Sequence, residues 1–256
     1  MLISLFFDLH NFLANAVIIS TRIAPAFYLL PFLNNSTLSI TIRLPVILMI
    51  ACALWPYSLG SDFPDVQRNW MIIFLNEIII GLFTGCCLAL PFWIFHAIGS
   101  IADNQRGALM SSVMEPTAGI ETPELARFLY YFSSAVFLLN GGMLLIIQTF
   151  YNSYQLCEPL KLCQPELNAV LVFVDTVVVK AIVLSSPVIT SLLCTEVFLG
   201  LFARFAPQMN VFSMLLIVKS YITLVVAILY FTSVLAEQVS IFSFRPEMLN
   251  DILKLR

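Results

Sequence analysis

Charged residues are scarce in this chain, and their scarcity limits the classes of protein to which it can belong. Only 11% of its 256 residues are Asp, Glu, Lys or Arg, whereas 60% are hydrophobic. A soluble domain has roughly 25% charged residues. The net charge is −3 and no basic tract occurs, which argues against a nucleic-acid partner. The composition therefore indicates a multi-pass membrane protein, or a subunit buried among other apolar subunits.

Residues that support catalysis or bind metals are equally few. The chain has two histidines, His10 and His96, which lie too far from the cysteines in sequence to indicate a zinc site. We interpret His96 as a packing residue. No phosphate-binding loop and no catalytic triad is recognisable. The first positive residue is Arg22, and a cleavable signal peptide needs a basic start, so none is predicted. We expect no enzymatic activity, no cofactor and no metal.

The six cysteines fall into two groups. Four lie in apolar segments and are typical of small packing residues; they are Cys52, Cys86, Cys87 and Cys194. Cys157 and Cys163 instead flank the polar stretch EPLKL. We predict a local disulfide in an oxidising compartment. Two free thiols remain the alternative, because spacing alone does not fix pairing.

Long apolar segments predict an all-α fold in contact with membrane lipid. They cover residues 12–32, 38–59, 71–99, 125–151, 169–204 and 211–236. As one helix, residues 169–204 would measure about 54 Å at 1.5 Å per residue, against about 30 Å for the hydrocarbon core. Either this segment breaks near Ser185, Ser186 and Pro187, or it extends beyond the bilayer inside an assembly.

Several charges interrupt these apolar segments. A charged residue at the centre of a membrane helix costs about 2.5–3.5 kcal/mol on insertion scales, so it should face other protein. We therefore predict subunit contacts for Glu77, Lys180, Glu196 and Lys219. The alternative is a small secondary transporter with an ion relay through Glu77, Asp175, Lys180 and Glu196, although no internal repeat supports it. Near Glu77, the spacing of Gly81 and Gly85 allows close helix approach.

Residues 101–124 form a polar segment between two apolar ones. It contains Gly107, Pro116, Gly119 and Pro123, which disfavour a continuous helix. One interpretation is an extramembrane loop. The other is a re-entrant loop in a protein-lined passage, because irregular backbone at membrane depth needs protein or water around it.

The tail and the cysteine segment predict conflicting topologies. Arg245, Lys254 and Arg256 favour a cytoplasmic tail, whereas a disulfide favours a periplasmic position for residues 152–168. With two ordinary crossings between them, both cannot hold. This conflict indicates that the helices do not all cross a bilayer in the usual way.

Three long stretches resemble the export-apparatus family of FliR, SpaR and YscT, with the SpaR branch nearest. They are RIAPAFYLLPFLNN from Arg22, LPFWIFHAIGSIADNQRGALMSS from Leu90, and SPVITSLLCTEVFLGLFARFAPQMNVFSMLLIVKS from Ser186. One departure is SSVMEPTAGIETPE from Ser111, where SpaR-like chains tend to read SSSIDPANGIDTSE. The acidic-Pro and Gly pattern is kept.

The resemblance implies a non-enzymatic, structural and gating subunit of the type III secretion export gate, a virulence channel for secreted effector and needle proteins in the bacterial inner membrane. It implies a FliP-like helical part over residues 1–168 and a FliQ-like hairpin over 169–236, followed by a tail over 237–256. The implied partners are FliP-like and FliQ-like subunits in a helical core, held largely above the bilayer plane, with a FlhB-like subunit alongside and secreted proteins passing through.

The resemblance also assigns roles to particular residues. It implies a loop that plugs the closed pore, with Arg106, Gly107, Met110, Met114, Glu115, Pro116 and Gly119 as its gating residues. It further implies a hairpin-tip subunit contact through Arg204, Pro207, Gln208 and Asn210.

Overall fold

The structure is a computed structural model that describes residues 2–34, 37–54, 70–106, 124–157, 167–205 and 211–230. Within these ranges the chain forms seven α-helices and no strand, which confirms the predicted all-α fold. In chain order they are α1 (Leu2–Leu29), α2 (Ile40–Ala53), α3 (Trp70–Gln105), α4 (Glu124–Leu139), α5 (Gly142–Leu156), α6 (Leu167–Phe205) and α7 (Val211–Tyr230).

Helix α3 is longer than the sequence pattern predicts. It runs through Gln105, so the first five residues of the predicted central loop are helical. The stretch IADNQ contains neither Gly nor Pro, and the first helix-weakening residue after it is Gly107. Helix α3 therefore extends about one turn past the predicted boundary at residue 101.

The predicted segment 125–151 is two helices rather than one. Helix α4 ends at Leu139 and α5 begins at Gly142. Gly141 between them has φ +81°, a left-handed conformation that glycine adopts without the penalty of a Cβ atom. The break thus falls at the adjacent glycines Gly141 and Gly142.

Helix α6 is continuous over 39 residues and passes through Pro187. The first of the two alternatives, a break near Ser185 to Pro187, is therefore wrong. A proline inside a helix leaves the carbonyl four residues earlier without its amide donor. Here that carbonyl belongs to Val183, and it accepts a hydrogen bond from Ser186 Oγ at 2.7 Å. The serine hydroxyl replaces the missing donor, and the helix extends about 58 Å at 1.5 Å per residue.

The chain forms two compact units, each with its own core. The first holds α1, α2, α3 through Leu90, α5 and the start of α6. Helices α1 and α2 pack together there, and Phe27 and Ile47 are among the buried residues. The second holds the rest of α3, α4, most of α6, and α7. In its core the rings of Phe92 and Phe137 meet edge to face, 5.3 Å apart.

These two units describe how the chain packs in space and do not test its predicted likeness to FliP-like and FliQ-like chains. That likeness stays a prediction. In the described part of the chain, Met71–Gln105 and Val174–Phe205 are long and apolar enough to cross a bilayer. The bent pair α4 and α5 would add a third crossing if it forms one span.

Candidate functional site

A buried ion pair joins α1 to α3 in the first unit. Arg22 Nε donates to Glu77 Oε2 at 2.6 Å, and Arg22 Nη2 donates to Glu77 Oε1 at 3.0 Å. Both side chains are fully buried, with at most 1% exposed. This two-pronged arrangement is the strong form of an arginine–carboxylate pair.

The remaining donors of Arg22 reach the end of α5. Its Nη1 donates to the carbonyl oxygens of Ser153 at 2.9 Å and Cys157 at 3.0 Å. The guanidinium carbon lies 4.5 Å from the ring centroid of Tyr154. We call Arg22, Glu77, Ser153, Tyr154 and Cys157 the Arg22 cluster. Three helices converge on one cation in it, and that is how the chain tolerates a buried charge.

Two glycines of α3 allow α1 to approach this closely. A Cβ atom on Gly81 would overlap the backbone carbonyl of Arg22, and one on Gly85 would lie 2.6 Å from Ala26 Cα. These are backbone atoms, which have no rotamer to move away. The predicted role of the Gly81 and Gly85 spacing in close helix approach is therefore confirmed.

A second buried cation, Lys219 of α7, lies in the second unit. Its ammonium donates to the Gln105 carbonyl at 3.2 Å and forms an ion pair with Glu196 of α6. Gln105 is the last residue of α3, where carbonyls lack partners within the helix. The Lys219 side chain is 6% exposed, whereas that of Glu196 is 41% exposed. Lys219, Glu196 and Gln105 form what we call the Lys219 cluster, which ties the C-terminus of α3 to the α6–α7 pair.

Asp103 holds the start of α4 beside the end of α3. Its Oδ2 accepts hydrogen bonds from the backbone amides of Leu125 at 3.0 Å and Ala126 at 3.1 Å. Its Oδ1 pairs with Arg106, with Nε at 2.8 Å. A carboxylate at a helix N-terminus satisfies unpaired amides and is favoured by the helix dipole. Both ends of the segment that follows Arg106 are thus fixed to one frame.

The described residues include only part of the predicted site. Glu77, Glu196 and Lys219 have partners within the chain, so their predicted contacts with other subunits stay predictions. Lys180 is half-buried and Arg204 is exposed at the end of α6. The other predicted gating and hairpin-tip residues lie outside the described residues; they are Gly107, Met110, Met114, Glu115, Pro116, Gly119, Pro207, Gln208 and Asn210.

Only one of the two cysteines in the predicted disulfide lies within the described residues. Cys157 is disulfide-bonded, while Cys52, Cys86, Cys87 and Cys194 are free. Cys163 lies outside the described residues, so its pairing with Cys157 stays a prediction.

Two charged side chains, Arg22 and Asp103, have partners that the sequence does not predict. Arg22 lies within the apolar segment 12–32, and its pairing with Glu77 is not predicted from the sequence. The available signal was the isolation of one cation and one anion in separate apolar segments, since each needs the other. The role of Asp103 as a helix cap had no such signal, because it depends on where α4 begins.

His96 contacts Tyr130 edge on, 5.6 Å between ring centroids.

The described residues contain no group of three or more His, Cys, Asp or Glu side chains placed to hold a metal ion. The two cation clusters consist of ion pairs whose cations also donate to backbone carbonyls. Such an arrangement positions helices and offers no open ligand set.

Long apolar helices joined by internally paired charges define a helical membrane-protein subunit. Comparison with known proteins is more specific. Residues 13–243 match the family described as Bacterial export proteins, family 1, and the chain belongs to that family.

Its relatives include proteins named Surface presentation of antigens protein SpaR. The one from Salmonella typhimurium is 43% identical over 250 residues, covering 98% of this chain and 95% of the relative. The one from Shigella flexneri is 41% identical, covering 93% of each chain. A more distant relative, Yop proteins translocation protein T of Yersinia pestis, is 28% identical and covers 82% of each chain. The resemblance to the family and to its SpaR branch is confirmed.

Proposed function

We propose that this chain is a structural and gating subunit of the type III secretion export gate in the bacterial inner membrane. In this proposal it acts without catalysis, inside a hetero-oligomeric core of FliP-like and FliQ-like subunits with a FlhB-like subunit alongside. Membership in the bacterial export family supports the role in export. The names of its relatives refer to surface presentation and to translocation of Yop proteins.

Helix α6 carries the proposal that the chain works inside an assembly. In the apolar part of α6, Val174–Phe205, only 29% of the spanning-length stretch is buried within the chain. The corresponding share in α3 is 61%. Large apolar side chains are exposed along its length, from Val172 at 67% to Phe198 at 73% and Phe205 at 83%. At about 58 Å the helix exceeds a hydrocarbon core of about 30 Å. Lipid alone therefore cannot cover it, and apolar protein surfaces are the remaining cover.

The frame around residue 106 supports the gating part of the proposal. Asp103 fixes the start of α4, and Lys219 binds the end of α3. A segment that leaves and re-enters one fixed frame is suited to act as a displaceable plug, because its ends stay in place when its middle moves. That residues 107–123 form this plug is part of the proposal.

The ion pairs within the chain weigh against the transporter alternative. A relay residue must exchange protons or ions during transport. Both carboxylate oxygens of Glu77 accept hydrogen bonds from Arg22 in a site at most 1% exposed. Glu196 pairs with Lys219. These carboxylates hold helices together, and the assembly proposal accounts for them more directly.

Co-expression tests the proposal. The chain expressed alone should aggregate, whereas with FliP-like and FliQ-like subunits it should purify in a defined complex. Phe198→Glu should remove it from that complex, because it places a charge on the exposed face of α6; Phe198→Leu is the matched control and should assemble. A monodisperse chain that functions alone, or normal assembly of Phe198→Glu, would contradict the proposal.

A further inference from the structure

Arg43 of α2 is a buried cation that the clusters above do not include. The residue is 1% exposed. Its guanidinium lies over the ring of Tyr28, 3.8 Å from the centroid. Nothing in the described part of the chain forms a hydrogen bond with Nη1 or Nη2. Arg22, equally buried, has protein acceptors for Nε and for both Nη atoms. Among the described residues, Arg22 therefore has an anionic partner and Arg43 has none.

An unpaired buried charge of this kind demands a counter-group. Buried charges in proteins are paired or hydrogen-bonded, because the loss of hydration is otherwise uncompensated. A guanidinium stays protonated in proteins, so Arg43 cannot become neutral. The Tyr28 ring covers one face of the guanidinium and leaves the edge donors unsatisfied, and a planar two-oxygen acid matches those donors.

A groove of about 500 Å³ lies next to this cation, between α1, α2 and α3. Leu44, Ile47 and Leu48 line it from α2, and Ile78 lines it from α3. Tyr28 lines the same groove, with 45% of its surface exposed. The tyrosine therefore touches the groove on one side and Arg43 on the other. Its ring is the wall that a group in the groove would displace to reach the guanidinium.

We propose that this groove receives an apolar helix of a neighbouring subunit, whose Asp or Glu carboxylate pairs with Arg43. This inference rests on the proposed function in one respect: the neighbouring subunit is a member of the export assembly. Around Arg43, α2 exposes further apolar side chains, including Ile40 at 53% and Met49 at 73%. A helix with one acidic residue fits both properties, since its apolar face covers the groove and its carboxylate supplies the missing charge.

A carboxylate on a helix fits this place better than a lipid phosphate. A phosphate head group brings glycerol and hydration into a groove whose walls are mainly apolar. The hydroxyls of Ser20 and Thr21 in the wall already donate to the Val17 carbonyl, at 2.7 and 2.9 Å. An acidic side chain delivers its charge on a short apolar stem and adds no other polar group.

Replacement of Arg43 by Met tests this proposal, because a paired and an unpaired Arg43 predict opposite effects on assembly. If a carboxylate pairs with Arg43 in the assembly, Arg43→Met strands that carboxylate, and the yield of assembled complex should fall by at least about tenfold. Arg43→Lys, which keeps the charge, should retain part of the yield. Met49→Leu is the control on the same helix and should assemble normally. Unchanged or increased yield with Arg43→Met would overturn the proposal, because removing an unpaired charge costs nothing.

A photo-crosslinker identifies the partner. With p-benzoylphenylalanine in place of Leu48, irradiation of the intact complex should give adducts to a peptide of another subunit that contains Asp or Glu, and substituting that acid should reproduce the Arg43→Met defect. Adducts only to lipid or only within this chain would overturn the proposal. So would an assembly loss equal to that of Arg43→Met on changing an acid of this chain, such as Asp62→Asn or Asp65→Asn.

Failure of this inference is distinguishable from failure of the proposed function. If the unaltered chain does not purify with the other export subunits, the proposed function is wrong. If the unaltered chain assembles and the Arg43→Met chain assembles equally well, only the Arg43 inference is wrong.

Discussion

Arg22 and Glu77 are 55 positions apart in sequence and form a two-pronged ion pair, with Nε to Oε2 at 2.6 Å and Nη2 to Oε1 at 3.0 Å. The pair is fully buried between α1 and α3. Substitution of one partner leaves the other as an uncompensated buried charge, whereas replacement of both partners by apolar residues removes both charges. The two kinds of substitution should therefore have very different effects.

Glu77→Gln should destabilise the assembled complex by about 3–5 kcal/mol, because Arg22 then stays buried without its counter-ion. The double variant Arg22→Met with Glu77→Met should lose less stability than the sum of the losses in Arg22→Met alone and Glu77→Met alone. Thermal unfolding of the purified complex measures both. Glu124→Gln, at the exposed start of α4, is the control. A loss of stability in the double variant equal to the sum of the single-variant losses would show that the pair is not coupled.

Gly81→Ala should separate α1 from α3. The added methyl group would overlap the Arg22 backbone carbonyl, and helix backbones can relieve that overlap only by moving apart. Gly200→Ala is the matched control, since a Cβ there meets nothing within 4 Å; in the interior of α6 it should stabilise by about 0.5–1 kcal/mol. Thermal unfolding of both complexes decides the matter. Similar behaviour of the two variants would refute the close approach.

Asp103→Ala should loosen the start of α4. The amides of Leu125 and Ala126 lose their acceptor, and loss of a helix cap costs about 0.5–2 kcal/mol. Amide exchange at these two residues should therefore accelerate by roughly 2- to 30-fold. Asp103→Asn keeps an oxygen acceptor and should show a smaller change. Asp175→Ala, exposed on α6, should leave α4 unaffected, and unchanged exchange in Asp103→Ala would exclude the capping role.

Oxidation of Cys157 with Cys163 should protect two thiols from labelling. Denatured chain treated with a maleimide mass tag should gain two tags after reduction, beyond those on the four free cysteines. On a chain-entropy estimate, loss of so short a crosslink costs roughly 2 kcal/mol. Cys163→Ser should remove the difference between oxidised and reduced samples. The same number of tags before and after reduction would exclude the bridge.

The sequence predicts some features of the clusters because each follows from one local rule. Glu77 in an apolar segment requires a protein partner, and Gly81 with Gly85 predicts close helix contact. Both hold, since they depend on burial and on spacing within one helix. The partner itself depends on which helices meet, and sequence distance carries no information about that.

Other features depend on combinations that a residue-by-residue interpretation does not weigh. Pro187 predicts a helix break, yet Ser186 supplies the donor that the proline lacks. Asp103 lies in a stretch that composition assigns to a loop, yet it caps a helix whose start is 21 positions later, at Glu124. In each case a tertiary or neighbouring hydrogen bond offsets the local preference.

Shortening the segment after Arg106 tests the proposed plug. Asp103 Oδ2 lies 3.0 Å from the amide of Leu125, so the end of α3 and the start of α4 are already together. Deletion of residues 108–119 leaves five residues between Arg106 and Glu124, which span at most about 17–18 Å when extended. That length is enough to join ends so close, and the frame should survive the deletion.

The shortened chain should therefore assemble but leak ions across the inner membrane. Met110 and Met114 lie in the deleted stretch, and methionine side chains are adaptable enough to seal a gap and then yield. The measurement is potassium release from cells that express the assembled complex. A Gly/Ser segment of the original length is the matched variant; it restores the connection without apolar bulk, and it should leak as well. A shortened complex that assembles, stays ion-tight and secretes normally would show that this segment only connects two helices.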